Sequence, residues 1–166
     1  MVYIYILKLE NDKYYIGKTN NPSFRIDNHK NGTGSFWTRK YKPISVERII
    51  PNCDIYDEDK YTIQYMDKYG IPNVRGGSFS QFILPLQSVE IIKQMCKGAN
   101  NKCFKCGESG HFIGECNTEL ETIPFNDKNS EEYEKQEKDT LNNERKKNVV
   151  LNVIISILEC CLCLRE

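Results

Sequence analysis

The stretch that decides the fold opens the chain, where residues 3–9 (YIYILKL) and residues 13–19 (KYYIGKT) are rich in aromatic and β-branched side chains. Such side chains favour strands, because they pack well on a pleated surface. The segment between the two runs, Glu10-Asn11-Asp12, contains turn-forming residue types. The pattern predicts two strands joined by a tight turn, so we expect the chain to open with a β-hairpin.

Helix and strand signals alternate after the hairpin. Asn21 and Pro22 predict a helix start, and Gly32 predicts its end. The later elements are predicted to be a strand, a helix with an acidic first turn, a loop and a closing helix, over residues 44–50, 54–69, 73–78 and 86–97. This order predicts an α/β domain over residues 1–97, with a small antiparallel three-stranded sheet flanked by helices.

Charge is distributed unevenly along the 166 residues, although the formal net charge is zero. Residues 1–102 carry 15 Lys/Arg against 10 Asp/Glu, whereas residues 117–166 carry 7 against 11. A modestly basic front is compatible with a polyanionic partner such as nucleic acid. An excess of solvated surface lysines is the alternative explanation.

The cysteine content and the N-terminal sequence together indicate the redox state of the cellular compartment. The chain has eight cysteines, but its N-terminus has no basic segment followed by a long apolar segment, as a signal peptide would. We expect an intracellular, reducing compartment, either cytoplasm or nucleus. In that setting, closely spaced Cys and His predict metal ligands rather than disulfides.

Three thiols and one imidazole cluster in residues 103–116, CFKCGESGHFIGEC. The four ligand types have the spacing C-x2-C-x4-H-x4-C, and they are Cys103, Cys106, His111 and Cys116. Three thiolates and a neutral imidazole are a complete tetrahedral set for a structural Zn²⁺. A unit this small has almost no core, so the metal supplies most of its folding free energy, on the order of 10 kcal/mol.

Phe104 and Phe112 are too few to make a core within this unit. We expect both rings to stack on unpaired bases, each contributing about 1 to 3 kcal/mol. The segment resembles the retroviral-type CCHC zinc knuckle, a resemblance that implies binding of single-stranded nucleic acid. Glu108 and Glu115 slightly disfavour a phosphate partner. A knuckle that binds protein is the alternative.

The first domain carries a second set of spaced motifs. They are Tyr3-Ile4-Tyr5 and Tyr15-Ile16-Gly17 on the two strands, Arg25 ten residues after Tyr15, His29 four residues later, and Glu58 fifteen residues before Asn73. Together they resemble the GIY-YIG nuclease family over about residues 2–80. The GIY motif that gives the family its name has glycine at the position of Tyr3. This departure suits the subgroup whose first strand is rich in aromatic residues.

The resemblance implies a metal-dependent endonuclease that hydrolyses phosphodiester bonds in DNA or RNA. Such a reaction needs an activated water and a cation on the phosphate. Glu58 would hold one Mg²⁺ or Mn²⁺, a hard cation that keeps most of its waters. Arg25 would bind the scissile phosphate with its planar guanidinium.

By the same resemblance, Tyr5 is the candidate general base, with its pKa lowered by positive charge from Lys18 and the metal. Tyr15 would orient the water or hydrogen-bond its neighbour. His29 would relay a proton or contact phosphate, and Asn73 would anchor the loop beside the metal. For each residue alone, packing or a solvated surface is the alternative role.

A basic stretch follows Trp37 and is a candidate for gripping the nucleic-acid backbone. It consists of Thr38, Arg39, Lys40 and Lys42.

The remainder of the chain falls into three segments of different composition. Residues 98–102 form a short linker, residues 117–148 a charge-dense linker that we expect to be mobile, and residues 149–166 an apolar, Cys-rich tail. The apolar run of the tail is shorter than the ~20 residues that cross a bilayer, so we expect a partner-docking or loosely packed helix. Membrane anchoring through acylated tail cysteines (Cys160, Cys161 and Cys163) is the lesser alternative.

These motifs predict a nuclease whose knuckle captures an unpaired strand and delivers it to the phosphodiesterase centre. The small size of the chain favours single-stranded or branched substrates over a long recognition sequence. Two other classes are consistent with the same residues. One is a non-catalytic nucleic-acid-binding protein with the nuclease fold, and the other is a protein-assembly factor that acts through the knuckle and tail.

Overall fold

The computed structural model of the protein describes residues 1–118. Within this range a four-stranded sheet is combined with four α-helices, which confirms the α/β class. In chain order the elements are β1 (Tyr3–Leu9), β2 (Lys13–Thr19), α1 (Pro22–Lys30), α2 (Phe36–Lys40), β3 (Pro43–Ile50), α3 (Asp57–Tyr69), β4 (Val74–Gly76) and α4 (Leu86–Ala99). Single 3-10 turns lie at Glu10–Asp12, Ile71–Asn73 and Ile113–Glu115.

The sheet has the strand order β3-β1-β2-β4. β1 is antiparallel to β2 and to β3, whereas β4 is parallel to β2. The prediction of a three-stranded antiparallel sheet is therefore wrong in one strand, because residues 74–76 lie in the segment predicted as a loop. Three residues ending in glycine are too short to show a period of two, so pairing with the distant β2 is what makes them a strand.

The register of the hairpin places the motif tyrosines on one face. Tyr5 pairs with Gly17, and Leu7 pairs with Tyr15. Directly opposed residues of an antiparallel pair point to the same face, as do residues two apart on one strand. Tyr5 and Tyr15 therefore project from the same side of the sheet.

Each face of the sheet has its own core, because side chains alternate along β1 and β2. On one face, α3 and α4 cover Ile4, Ile6 and Ile16, which pack with Met66 and Ile92 among others. On the other face, the tyrosine pair and Leu7 pack with Ile26 of α1 and Trp37 of α2. Tyr5 and Tyr15 of the predicted site thus lie on the α1 and α2 face, whereas Glu58 lies at the start of α3.

Both ends of α1 and the C-terminal end of α3 agree with their predicted signals. The side chain of Asn21 accepts a hydrogen bond from the backbone N–H of Phe24 at the start of α1, with Pro22 in the first turn. Gly70 ends α3, after a first turn that is acidic. α2 has no counterpart in the sequence predictions, because five residues are too few for a helical period. Ser35 caps it by accepting from the N–H of Thr38.

α4 continues through Gly98 and Ala99, the first two residues of the predicted linker. Within residues 1–118 no helix has the length and apolar character needed to span a bilayer. The predictions for the charged linker beyond residue 118 and for the tail (149–166) lie outside the described residues.

Candidate active site and metal centre

Tyr5 lies almost completely buried on β1, with its ring over Gly17 of β2. A Cβ at position 17 would collide with the phenol of Tyr5, hydroxyl included. Glycine at this position therefore leaves room for the ring across the neighbouring strand. Glycine in the Tyr15-Ile16-Gly17 motif thus has a steric reason in this chain.

The hydroxyl of Tyr5 lies 2.8 Å from Nε2 of His29, and Nδ1 of His29 lies 2.7 Å from Oγ1 of Thr38. Thr38 donates its own hydroxyl hydrogen to the backbone carbonyl of Ser35. Oγ1 of Thr38 also lies 3.2 Å from Oγ of Ser35. With the hydroxyl hydrogen of Thr38 on the carbonyl of Ser35, Oγ1 of Thr38 accepts from Nδ1–H of His29, and Nε2 of His29 is then an acceptor. The network assigns the direction Tyr5 to His29 to Thr38 to Ser35, which we call the hydroxyl relay.

Burial keeps Tyr5 and His29 of the relay neutral. Burial, and secondarily the charge of Arg25, lowers the pKa of His29 from 6.5 to about 4. Burial also raises the pKa of Tyr5, and the neighbouring Tyr15 raises it further, whereas Arg25 acts in the opposite direction. A phenolate formed beforehand is thus not favoured here, and the pKa of Tyr5 is raised where positive charge was expected to lower it.

Arg25 and Tyr15 complete the buried side of the site. Interaction with the hydroxyl of Tyr5 raises the pKa of Arg25, and Tyr15 contributes in the same direction. The ring centroid of Tyr15 lies 4.9 Å from that of His29 and 6.3 Å from that of Tyr5. The half-buried guanidinium of Arg25 therefore interacts with two phenols, and this interaction outweighs the effect of burial, which lowers its pKa.

Glu58 lies in the first turn of α3 and faces Lys18 of β2. The backbone N–H of Lys18 donates to Oε1 of Glu58 at 3.1 Å, and Nζ of Lys18 lies 3.6 Å from Oε2. Glu58 also acts on the pKa of both Tyr5 and Tyr15, so it belongs to the same charge cluster. One partly exposed carboxylate fits a Mg²⁺ or Mn²⁺ that retains most of its waters.

The first turn of α3 is tied to the segment after β4. Asp59 accepts hydrogen bonds from the backbone N–H and from the hydroxyl of Ser78, each at 2.7 Å. Thr62 donates its hydroxyl to the carbonyl of Glu58 at 2.7 Å. Gly77 has a φ of 47°, and a Cβ there would collide with the carboxylate of Asp59. We call this set of bonds the Asp59–Ser78 clamp, and it holds the turn that carries Glu58.

Asn73 does not join this cluster. Its amide donates to the carbonyl of Tyr69 and accepts from Nζ of Lys13 at 2.7 Å. It follows the last turn of α3, whereas Glu58 lies in the first, so a helix of 13 residues, about 20 Å long, separates them. The geometry supports an anchoring role for Asn73 at the far end of α3, and gives no support to a place beside the metal.

The basic stretch divides into a buried and an exposed part. Thr38 is fully buried in the hydroxyl relay. Arg39, Lys40 and Lys42 are exposed, and among residues 1–118 none of the three forms an ion pair with a carboxylate. Three free cations beside the relay remain available for a phosphate backbone.

The four predicted zinc ligands come together in the structure. Their ligand atoms all lie within 4.8 Å of one another, and Sγ of Cys106 lies 3.3 Å from Nε2 of His111. Zn–S bonds of about 2.3 Å and Zn–N bonds of about 2.0 Å require similar separations in a tetrahedron. The backbone N–H of Glu108 points at Sγ of Cys106, as expected for a thiolate ligand. Donor type and spacing therefore fit Zn²⁺.

The two aromatic rings of the zinc segment differ in their surroundings. Phe112 is 71% exposed, whereas Phe104 is 49% exposed and packs against α4 at Gly98. Both rings therefore retain surface on which a base can stack. The stacking roles predicted for them remain predictions.

Sequence reasoning missed three functional candidates, namely Ser35, Asp59 and Ser78. The Ser-x-x-Thr spacing of Ser35 and Thr38 was a visible capping signal, but its proximity to His29 depends on the packing of α2 against α1. The pairing of Asp59 with Ser78 depends on β4, which the sequence did not reveal.

Comparisons with known proteins agree with both motif sets. Residues 1–61 match the family model of the GIY-YIG catalytic domain, and residues 101–118 match that of the zinc knuckle. The UPF0213 protein CPE1444 of Clostridium perfringens (strain 13 / Type A) is 44% identical over 46 residues, which are 28% of this chain and 50% of that relative. The match spans half the length of the relative. No solved structure matches.

Proposed function

We propose that this chain, which carries a GIY-YIG catalytic domain and a CCHC zinc knuckle, is a metal-dependent endonuclease whose knuckle binds single-stranded nucleic acid. The observation that carries the proposal is the hydroxyl relay, which directs the proton of Tyr5 towards a neutral His29. A structural hydrogen bond alone would not require a buried imidazole close to an arginine.

In the proposed reaction, the attacking water gives a proton to Tyr5 while the proton of Tyr5 moves to Nε2 of His29. The water oxygen forms a bond to phosphorus as the bond from phosphorus to the leaving sugar oxygen breaks, and the leaving oxygen takes a proton from solvent water. The high pKa of Tyr5 makes its oxygen a strong base once its proton leaves, which favours coupled transfer over prior ionisation. The bond from Nδ1–H of His29 to Thr38 orients the ring and spreads the charge that the ring acquires.

Arg25 binds a non-bridging oxygen of the scissile phosphate, and Tyr15 orients the water beside it. Glu58 would hold the Mg²⁺ or Mn²⁺, which supplies positive charge at the phosphate when bound. Lys18 forms an ion pair with Glu58 and would be free to face the substrate if Glu58 held a metal ion. Arg39, Lys40 and Lys42 contact the flanking phosphates.

Cleavage of labelled duplex, flap and single-stranded DNA and RNA with Mg²⁺ or Mn²⁺ tests the proposal. We expect the wild type to cut at least one of these substrates and Glu58→Ala and Arg25→Ala to lose at least about 100-fold in rate. Two exposed residues of β3 supply matched controls, Glu47→Ala and Arg48→Ala, which should cut normally. Tight binding without cutting under any metal would instead indicate a non-catalytic nucleic-acid-binding protein.

A further inference from the structure

β3 (Pro43–Ile50) lies at one edge of the sheet. The strand order β3-β1-β2-β4 gives it a single neighbouring strand, β1, within residues 1–118. Residues 44–49 are all exposed, so neither face of the strand is covered over this length. A long edge strand whose outer backbone groups have no partner strand is a template for a further strand. The outer edge of β3 is therefore a candidate interaction surface.

Two exposed apolar residues of β3 lie on the α1 and α2 face of the sheet. Val46 pairs with Leu7, and Ile49 pairs with Tyr5, so each shares the face of its partner on β1. Val46 is 37% exposed and Ile49 is 44% exposed. Residues three apart on a regular strand point to opposite faces, so an extra residue lies between these two. The register shift between the two pairs marks this β-bulge.

The two residues inside the bulge are charged and lie on the opposite face. Arg48 pairs with Ile6, which belongs to the core on the α3 and α4 face. Glu47 has no partner on β1, and its carboxylate accepts a hydrogen bond from the hydroxyl of Tyr65 on α3 at 2.8 Å. Neither charge forms an ion pair within residues 1–118. An acidic and a basic side chain therefore stand side by side, each available to a partner.

The order of faces along residues 46–49 is the same in both directions. The two apolar residues lie at the ends on one face, and the two charged residues lie between them on the other face. A regular strand alternates strictly, so it does not stay in step with this order. The same stretch of a second copy, running antiparallel, has the same order and stays in step at every position. The bulge therefore favours a second copy of this chain over an ordinary strand.

We propose that β3 pairs antiparallel with β3 of a second copy of this chain, about a two-fold axis between residues 47 and 48. Val46 then opposes Ile49 of the second copy, and Glu47 opposes Arg48 of the second copy. Opposed side chains have Cβ atoms about 4.5 to 5.5 Å apart, so the two-fold forms two ion pairs and two apolar pairs. A shift of one residue would oppose Val46 and Arg48, which point to different faces.

The inference does not rest on the proposed nuclease function. Each copy carries its own Tyr5, His29 and Glu58, so separation of the copies leaves these groups complete. Alanine at position 47 or 48 should therefore weaken the pairing without lowering cleavage per chain. Because opposed residues share a face, the two copies would present Tyr5 on the same side of one continuous sheet.

Sedimentation equilibrium of the zinc-loaded full chain tests the pairing. We expect the wild type to dimerise at concentrations on the order of 100 µM, because an interface of one strand per copy is small. Glu47→Arg and Arg48→Glu should each raise the dissociation constant at least about tenfold, because each reversal turns two attractive pairs into two repulsive ones. Reversals at two exposed positions of α4, Glu90→Arg and Lys93→Glu, are the matched controls and should dimerise like the wild type.

An equimolar mixture of Glu47→Arg and Arg48→Glu tests the register itself. In the mixed dimer each opposed pair again joins an acidic and a basic side chain, so the dissociation constant should return to within about threefold of the wild type. The double variant Glu47→Arg/Arg48→Glu should recover in the same way. The emission of Trp37 checks the fold of each variant. Arg48→Glu keeps the bond between Glu47 and Tyr65, so it tests the charge pairing even if Glu47→Arg changes this emission.

Three results would overturn the proposal. The first is a wild type that stays monomeric over the whole concentration range. The second is a dimer that both single reversals leave unchanged, because the copies would then meet through another surface. The third is a mixture and a double variant that stay as weak as the single reversals, because the two-fold axis would then not lie between residues 47 and 48. None of these results bears on cleavage, so the proposed function would stand.

Discussion

Tyr5 combines a packing role with a chemical one. Its ring belongs to the core that includes Leu7 and Trp37, and its hydroxyl faces His29 at hydrogen-bond distance. Replacement by phenylalanine keeps the ring and removes only the oxygen. The substitution therefore separates the two roles of a residue that is almost completely buried.

We expect Tyr5→Phe to retain the fold and to lose at least about 100-fold in cleavage rate, because the water loses its proton acceptor. Chemical denaturation should show a change in unfolding free energy of only about 1 to 2 kcal/mol. Tyr61→Phe, which removes a hydroxyl from the opposite side of the sheet, is the control and should cut normally. Comparable cleavage by both variants would exclude Tyr5 as the base.

His29 predicts a pH dependence of stability. Its folded-state pKa is about 4, below the unfolded value of 6.5, so the unfolded chain binds the proton more readily. Stability is therefore fully present above pH ~6.5 and is lost as pH falls towards ~4. Between pH 7 and pH 5 we expect a loss of about 2 kcal/mol from this group.

Urea denaturation at pH 7 and pH 5 measures this loss. The difference between the wild type and His29→Gln isolates the contribution of His29 from that of His111 and the carboxylates. An equal drop in both proteins would show that His29 does not titrate as described.

At the scale of elements, α3 and the segment after β4 are positioned together. The parallel pairing of β4 with β2 brings Ser78 to Asp59, and the clamp holds the turn that carries Glu58. Hydrogen-bonded partners of this kind set the orientation of a metal ligand without touching the metal. Ser78 is in this sense a positioning residue.

Ser78→Ala should raise the Mn²⁺ concentration for half-saturation by about tenfold, because one bond that fixes the turn is lost. Calorimetric titration of Mn²⁺ gives the affinity without reference to cleavage. Ser45→Ala, at an exposed serine of β3, is the matched control. Unchanged Mn²⁺ affinity in Ser78→Ala would refute a positioning role.

In the hairpin, the residue at one position of β2 decides whether the ring of Tyr5 on β1 has room to pack. Gly17→Ala should lower the unfolding free energy by about 1 to 3 kcal/mol, because the added methyl group displaces the ring of Tyr5. Thermal unfolding measures the change. Gly114→Ala in the knuckle, where a Cβ would meet nothing within 4 Å, is the control for a glycine without such a neighbour.

At the scale of the whole molecule, the sheet domain and the knuckle are stabilised by different means. The sheet domain has two apolar cores, whereas the knuckle depends on the ligand set around Cys103 and His111. Metal removal should therefore unfold one unit and leave the other folded. The single tryptophan, Trp37, lies in the core of the sheet domain and reports on that unit alone.

Chelation of zinc should weaken single-strand binding at least about tenfold while the emission of Trp37 stays constant. Titration of zinc against the chelator, followed by anisotropy and tryptophan fluorescence in parallel, tests this. Cys106→Ser should behave like the chelated wild type. A shift in Trp37 emission on chelation would mean that the two units unfold together.

Much of this protein could be predicted from residues whose effects are local. The aromatic and β-branched runs at residues 3–9 and 13–19 predict the hairpin, and the Cys and His spacing predicts the zinc ligands, because both depend on residues close together in the sequence. The motif positions of Tyr5, Arg25 and Glu58 likewise predicted a cluster that the structure brings together.

The remaining features of the fold and the site were decided only by the tertiary structure. They depend on contacts between residues that are far apart in the sequence. β4 becomes a strand through its pairing with β2, and Thr38 enters the site through the packing of α2 on α1. Asn73 lies at the far end of α3 from Glu58, because the length of the helix, rather than the motif spacing, sets its position. The ring of Phe104 rests on Gly98 because the knuckle folds back onto α4, a contact that no local pattern in the sequence specifies.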